Sequence, residues 1–574
     1  MPGEAPSGAV ACSGDGPPRR KASQKIATTA ATSRAATPGK RRVEDGIAAP
    51  ITQKAEVAFD FLSPYRALIR AMSLQRKVVR GSTLNLLDHL VRIASMLVVT
   101  PLMVTQLGLE GYGIWLVLTA AISFLNLLDG GITLSGTRFL AKALGGGDTS
   151  GADRVTGTLR WLYHRVGLVC LAGTALLVLA VPWLVRDPAW RDTGRMVLVA
   201  LGGGTALRFF LRIHLVVLKS HLRYDLIVAA SLVKLLVQTA LILFLLSRGH
   251  GLVVLALAQI GSDLLDQCLV VLFSRRTQAA SAARPCPELL PEILRFSGLA
   301  LLNSAGQHLR SRIDPFVLST FVGVASVPVY NMGLRLVTLF SDLVNALIGG
   351  TFFTGFSQVE GRSGLDGVRE KFLLSLRVSA PLALFGAAGL GLLGPAFLLR
   401  WLGPDFAESG RVLRWLLLPY TLWLIQFPTA VVIFSLNRHG LITRLTFASG
   451  LFNVALSAVL ASQIGFYGVI WATVIDMGLY YGLALPWIAC RVLQLPLRSY
   501  FVRLLRPALL LGAWLAPALL LLAPRIQPEY PSLFMAGSLL TLWFGVGALL
   551  LLTAAERRKL LARLRRQPPP EAGS

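Results

Sequence analysis

Charge is scarce in this chain, and negative charge is scarcer still. Only 15% of the 574 residues are Asp, Glu, Lys or Arg, against about a quarter in soluble domains. Carboxylates number 29 against 56 Lys and Arg, for a net charge of +27. Cysteine is rare too. Cys12, Cys170, Cys268, Cys286 and Cys490 stand far apart with no CxxC, which argues against a disulfide framework and a zinc site. Residues 1–56 lack the apolar stretch of a cleavable signal peptide. The longer inward loops hold no GxxxxGK followed by Ser or Thr, no GxGxxG and no HExxH, and the chain has no DxD. No catalytic residue, metal or cofactor is expected, and no enzyme.

What the chain has in abundance is apolar sequence, at 54% hydrophobic residues and a mean hydropathy of +0.63. Runs of roughly 20 apolar residues recur, each long enough to cross a bilayer core of about 30 Å. The pattern predicts an all-α, polytopic integral membrane protein with about fourteen spans. They fall near 84–106, 111–131, 160–184, 196–218, 225–247, 252–273, 296–321, 327–353, 373–399, 411–436, 441–463, 466–490, 505–523 and 533–553. Helices rather than strands follow because backbone groups in lipid must pair within their own segment.

The basic excess tests the topology. With the N-terminus inside, the inward loops carry 21 Lys and Arg and the outward loops eight. Such a bias puts both termini in the cytoplasm and explains the charge without nucleic acid. Residues 1–56 read as a disordered basic cytoplasmic tail, and 57–83 as an amphipathic pre-membrane segment. Met72 opens "MSLQRKVVRGSTLNLL", a plausible start, so the tail reads as an upstream extension. Residues 554–574 are a basic cytoplasmic tail.

An internal repeat at an offset of about 215 residues organises the spans. "LGLEGYGIW" at 107–115 matches "VGVASVPVY" at 322–330, and "GHGLVVLALAQIGSDLL" at 249–265 matches "GFYGVIWATVIDMGLYY" at 465–481. The expected architecture is two pseudo-symmetric six-helix lobes, at 84–273 and 296–490. An inter-lobe cytoplasmic linker at 274–295 joins them, and two additional spans occupy 491–553. Two lobes related by a repeat point to an alternating-access transporter with its site between them.

Two segments carry a family resemblance. "LGLEGYGIWLVLTAAISFLNLLDGGITLSGTRFLAK" has G-x-x-x-Y-G-x-W, then Asp-Gly-Gly at a span end. "DPFVLSTFVGVASVPVYNMGLRL" has an Asp near mid-span, a small-residue turn and Tyr-x-x-Gly-x-Arg. They resemble polysaccharide-biosynthesis membrane proteins, the O-antigen and lipid-linked oligosaccharide flippases of the multidrug/oligosaccharidyl-lipid/polysaccharide exporter superfamily. The resemblance covers most of 80–490. It implies a flippase in the bacterial inner membrane that moves a polyprenyl-pyrophosphate-linked repeat unit for lipopolysaccharide, capsule or exopolysaccharide. Its implied partners are that glycan, membrane lipids, a polysaccharide polymerase and glycosyltransferases. A multidrug or cation antiporter and a lipid II flippase are the alternatives.

Charges inside the spans are costly and usually face a bundle interior or a wet cavity. Under the flippase reading, Arg92, Arg208, Arg212, Arg310, Arg312 and Arg335 are the candidate pyrophosphate ligands, since a guanidinium fork matches phosphate. Asp88, Asp129, Asp314 and Asp342 are ion-pair or coupling candidates. Asn126, Asn303, Gln307 and Tyr330 are candidate sugar contacts. Asp88 and Arg92 share a helix face, as do Arg208 and Arg212, which have no carboxylate on their own face within a turn. Arg310 and Asp314 also share a face, so Arg310 reads either as a phosphate ligand or as the partner of Asp314. Arg312 lies about 200° round from Arg310. Pro315 predicts a kink at Asp314. Asp263, Asp266 and Asp476 are further intramembrane carboxylates; for Asp263 and Asp266 helix packing, or a place near the cytoplasmic half with a basic partner, is the reading favoured over proton coupling.

Overall fold

The computed structural model describes residues 63–277, 283–436 and 438–551, and these hold helices and no strand. The tails expected at 1–56 and 554–574 lie outside the described residues, as does the start of the 57–83 segment. In the first lobe the long helices are α1 (Ser63–Leu125), α2 (Ile132–Gly145), α3 (Thr149–Leu179), α4 (Arg191–Leu211), α5 (Ile213–Ser220), α6 (Tyr224–Ser247) and α7 (Leu252–Thr277). The second lobe has α8 (Leu289–Arg312), α9 (Asp314–Phe321), α10 (Ser326–Leu402), α11 (Ala407–Ser435), α12 (His439–Ile464), α13 (Phe466–Leu479) and α14 (Leu485–Val492). Helices α15 (Leu497–Leu522) and α16 (Tyr530–Leu551) follow.

Ten helical stretches among the described residues are long and apolar enough to cross a membrane on length and composition. Fourteen spans were expected, and part of the difference is how the chain turns. Spans 1 and 2 share one stretch, Leu87–Gly145, which breaks at Gly108 (φ 69°, ψ 176°). Spans 8 and 9 share α10, which breaks at Gly364 (φ 60°, ψ −155°). Span 7 is divided at Ile313 into α8 and α9, where Pro315 enters the first turn of the new helix.

The repeat reappears in the backbone. Gly108 and Gly323, 215 residues apart, both have positive φ, as do Gly249 and Gly465 and also Gly147 and Gly364. Glycine alone adopts these left-handed turns without a side-chain penalty. The turns at Gly108, Gly249, Gly323, Gly403 and Gly465 mark one end of the bundle. Those at Gly147 and Gly364 mark the other.

Packing relies on small residues, as expected where lipid competes for apolar contact. A Cβ on Gly306 of α8 would meet the Phe447 backbone of α12 at 2.7 Å, and one on Gly450 the Gly306 carbonyl at 2.5 Å. One apolar core continues from Ile114 and Leu118 of the first lobe to Val317, Val327 and Leu413 of the second. Helix α16 stacks Phe544 on Phe385 of α10, 4.2 Å apart, and α15 joins the same apolar cluster through Leu511 and Leu515. The indoles of Trp514 and Trp543 each donate to the other's backbone carbonyl.

Candidate functional site between and within the lobes

Arg92 and Arg312 both lie within electrostatic reach of Arg335. Arg92 on α1 donates to Asp88 at 2.8 Å and to Ser231 of α6 at 3.5 Å, while Ser231 donates to Asp88 at 3.1 Å. The Arg92 side chain stays 47% exposed, so this pair is a wet one. Arg335 on α10 places Nε 3.3 Å from the Met96 sulfur of α1. Among the described residues no carboxylate lies within 4.0 Å of Arg335. It is within electrostatic reach of Tyr112, Arg312, Asp342 and Arg92. Arg312, at the end of α8, is exposed. Asp342 is exposed too, within electrostatic reach of Arg335. Three cations thus face two carboxylates, and one cation has no anion of its own.

The other predicted arginines take carboxylates from neighbouring helices. Arg208 approaches Asp263 of α7 at 3.5 Å, and Lys234 of α6 bonds the other oxygen of that carboxylate. Arg212 lies 3.8 Å from Asp129, which also accepts from Thr133 at 2.8 Å and Tyr163 at 3.3 Å. The Asp-Gly-Gly turn therefore ties α2 to α3 and to the chain beyond α4. Helix faces read from sequence could not supply these partners, because each comes from another helix.

Arg310 corrects the sequence expectation most clearly. It does not pair with Asp314. Its Nε donates to Asp476 of α13 at 3.0 Å, Nη1 to Tyr481 at 3.3 Å, and Nη2 to Ser449 of α12. Ser449 in turn donates to Asp476, and the guanidinium lies 4.2 Å from the Tyr480 ring centroid. Tyr480 and Tyr481 open a π-helical turn (Tyr480–Ala484), a distortion that often marks functional positions. Arg310 is only 6% exposed, so its donors are spent on a protein cage. Asp314 instead accepts from Tyr330 at 2.6 Å through Oδ2, and its buried Oδ1 has no partner.

Beside this cage lies a cavity of about 180 Å³. Gln307, Ser311, Thr338, Asp342, Tyr420 and Trp423 reach its more open part, and Asp314, Tyr330 and Tyr481 are buried in its wall. Two of the four sugar candidates, Gln307 and Tyr330, line it. Asn126, exposed, lies at the end of α1 and donates to the Ile122 carbonyl at 3.4 Å. Asn303 is half-buried on α8. Sequence reasoning missed Ser449, Tyr420, Trp423, Tyr480 and Tyr481 as site residues. Asp476 was visible only as an intramembrane carboxylate without an assigned partner.

Residues 161–410 match the sequence profile of a family described as "Polysaccharide biosynthesis protein". No curated protein matches the chain in sequence. Solved structures match the fold. An inward-facing multidrug resistance MATE family transporter of the MOP superfamily is 17% identical, with TM-score 0.61, over 71% of this chain and 99% of its own. The lipid II flippase MurJ in its inward closed conformation is 12% identical, with TM-score 0.62, over 85% and 100%. A MOP superfamily transporter from Pyrococcus furiosus, described with a binding pocket of reversed polarity, is 16% identical, with TM-score 0.53, over 73% and 96%. The chain is a multi-pass membrane protein that shares its fold with a MATE family transporter and with MurJ, and its residues 161–410 match the profile of the polysaccharide biosynthesis family.

Proposed function

We propose that this protein flips a polyprenyl-pyrophosphate-linked oligosaccharide repeat unit from the cytoplasmic to the outer face of the bacterial inner membrane by alternating access. The product would feed O-antigen, capsule or exopolysaccharide assembly, with the polymerase and glycosyltransferases of that assembly as partners. The observation that carries the reading is the cluster of Arg92, Arg312 and Arg335, which draws on α1 of one lobe and on α8 and α10 of the other. Arg335 keeps a planar fork of donors that no protein carboxylate takes up within ion-pair distance among the described residues. A pyrophosphate is the dianionic ligand that such forks hold best. The family match over 161–410 supplies the glycan side of the reading.

A drug-cation antiporter would need a net acidic cavity, and three guanidiniums against two carboxylates oppose it. A lipid II flippase is the second reading, favoured by the likeness to MurJ, and its substrate offers the same pyrophosphate.

The test is a deletion strain complemented with variants, assayed for exported glycan and for the lipid-linked glycan that accumulates inside. Arg335→Ala is expected to reduce export roughly tenfold or more at equal membrane abundance, the scale of one lost charge-assisted contact. Arg335→Lys is expected to recover only part of it. Full export by Arg335→Ala would remove the cation cluster from the reading. Accumulation of lipid II in the deletion strain would replace the leading reading with the second.

A further inference from the structure

Two chemistries sit about a helix turn apart in α8 and α9, and they ask for opposite ligands. The cluster between the lobes offers donors. The cavity within the second lobe offers acceptors. Its arginine, Arg310, gives Nε, Nη1 and Nη2 to Asp476, Tyr481 and Ser449. What remains unsatisfied there is the Oδ1 of Asp314, on a side chain only 2% exposed. A carboxylate accepts and cannot donate, and a buried acceptor without a donor is costly. A phosphate would only add acceptors. For the ionised carboxylate the missing partner is a donor.

Size and walls narrow the choice. At about 30 Å³ per water in the liquid, a cavity of about 180 Å³ is room for a ring with its substituents, more than one ion fills. Its walls carry the rings of Tyr330, Tyr420, Trp423 and Tyr481, with Tyr420 and Trp423 edge to face at 6.0 Å. Gln307, Ser311 and Thr338 add amide and hydroxyl groups toward the open side. Aromatic faces for C–H surfaces, with a carboxylate and an amide for adjacent hydroxyls, are what a pyranose uses. Gln307 stands five positions before Arg312 of the cation cluster, about 7.5 Å along a helix. That is near enough for one ligand to touch both.

We propose that this second-lobe cavity is a subsite for a single pyranose ring of the transported glycan, with Asp314 Oδ1 accepting a sugar hydroxyl and Trp423 and Tyr420 walling the ring. The proposal rests on the flippase reading and adds to it where sugar identity is sensed.

The experiment is saturation-transfer NMR on the full-length purified protein. The probes are the methyl glycosides of glucose, galactose, mannose, N-acetylglucosamine and rhamnose, with parallel measurement of ²²Na⁺ binding. At least one glycoside is expected to receive saturation from the wild type. That signal should fall roughly two- to tenfold in Trp423→Ala, the scale of a lost aromatic contact. Gln307→Leu, at an exposed position that leaves the fold intact, should weaken it in the same direction. Asp314→Asn should change which glycoside is preferred. No glycoside signal from the wild type, or one unmoved by both Trp423→Ala and Gln307→Leu, overturns the subsite. So does ²²Na⁺ binding that vanishes in Asp314→Asn without any glycoside signal, which would make the cavity a cation site. Neither result touches the Arg335 export test, so the subsite and the flippase reading fail separately.

Discussion

At the scale of single residues, the chain separates arginines that hold the protein together from arginines left available. Arg310 is the first kind. Removing one member of a buried ion pair strands the other at a cost of about 3–5 kcal/mol, whereas removing both is far milder. Arg310→Ala and Asp476→Ala are each expected to lower folded yield and thermal midpoint in detergent. The double variant should regain much of the loss, while Arg310→Ala combined with Asp314→Ala should not. Rescue by Asp314→Ala instead would mean that the pairing described here is wrong. The sequence made Arg310 conspicuous, since a charge amid "LNSAGQHLRSRIDPFVLST" has to be explained. Its partner was hidden by distance along the chain, 166 residues away, with helix geometry pointing to the nearer Asp314. Within one helix, i and i+4 share a face; across a bundle, the neighbouring helix decides.

At the scale of elements, glycine position carries more of the fold than hydropathy does. Gly306 lies against the backbone of Phe447, so a larger side chain there must push α8 and α12 apart. Gly306→Leu is expected to destabilise by about 1–3 kcal/mol or more. Gly298→Ala, eight residues earlier, has open space around its Cβ and should be neutral or stabilising by up to about 1 kcal/mol. Thermal unfolding of both in one detergent checks the contrast, and equal effects would refute it. Much of this level was legible in sequence. Apolar runs located the helices, Pro315 anticipated the break before α9, and the repeat placed the turns at Gly108 with Gly323 and Gly249 with Gly465. The kinship of Gly147 with Gly364 was not legible, because their neighbours differ and what they share is a positive φ. That the two helical halves of α10 run up to the break at Gly364 with no loop between them was hidden for a related reason. Hydropathy marks where a segment is apolar and is silent on whether the polar stretch beyond it stays helical.

At the scale of the whole molecule, α8 belongs to both lobes. Its beginning is held to the first lobe: Ser297 and Ser135 share a hydrogen bond at 2.9 Å, and Arg138 stacks 4.9 Å from the Phe296 ring. A Cβ on Gly131 would run into Ala300, and the Cys286 N–H donates to Thr158 at 2.9 Å. From Gly306 onward the same segment is built into the second lobe. At the Gly108 end a Cβ on Gly113 would run into the Val324 carbonyl, so α1 meets the second lobe there as well. The lobes are therefore sealed along this side at both ends. Alternating access requires one seal to open at a time. Both serines are buried, and their oxygen separation leaves sulfur atoms at the same positions close enough to bridge after a small adjustment. With Cys12 and Cys268 replaced by serine, Ser135→Cys with Ser297→Cys is expected to cross-link on mild oxidation and arrest glycan export, and reduction should restore it. Export that continues in the cross-linked protein would show that the lobes part by bending α8 between Leu301 and Gly306 while its beginning stays with the first lobe.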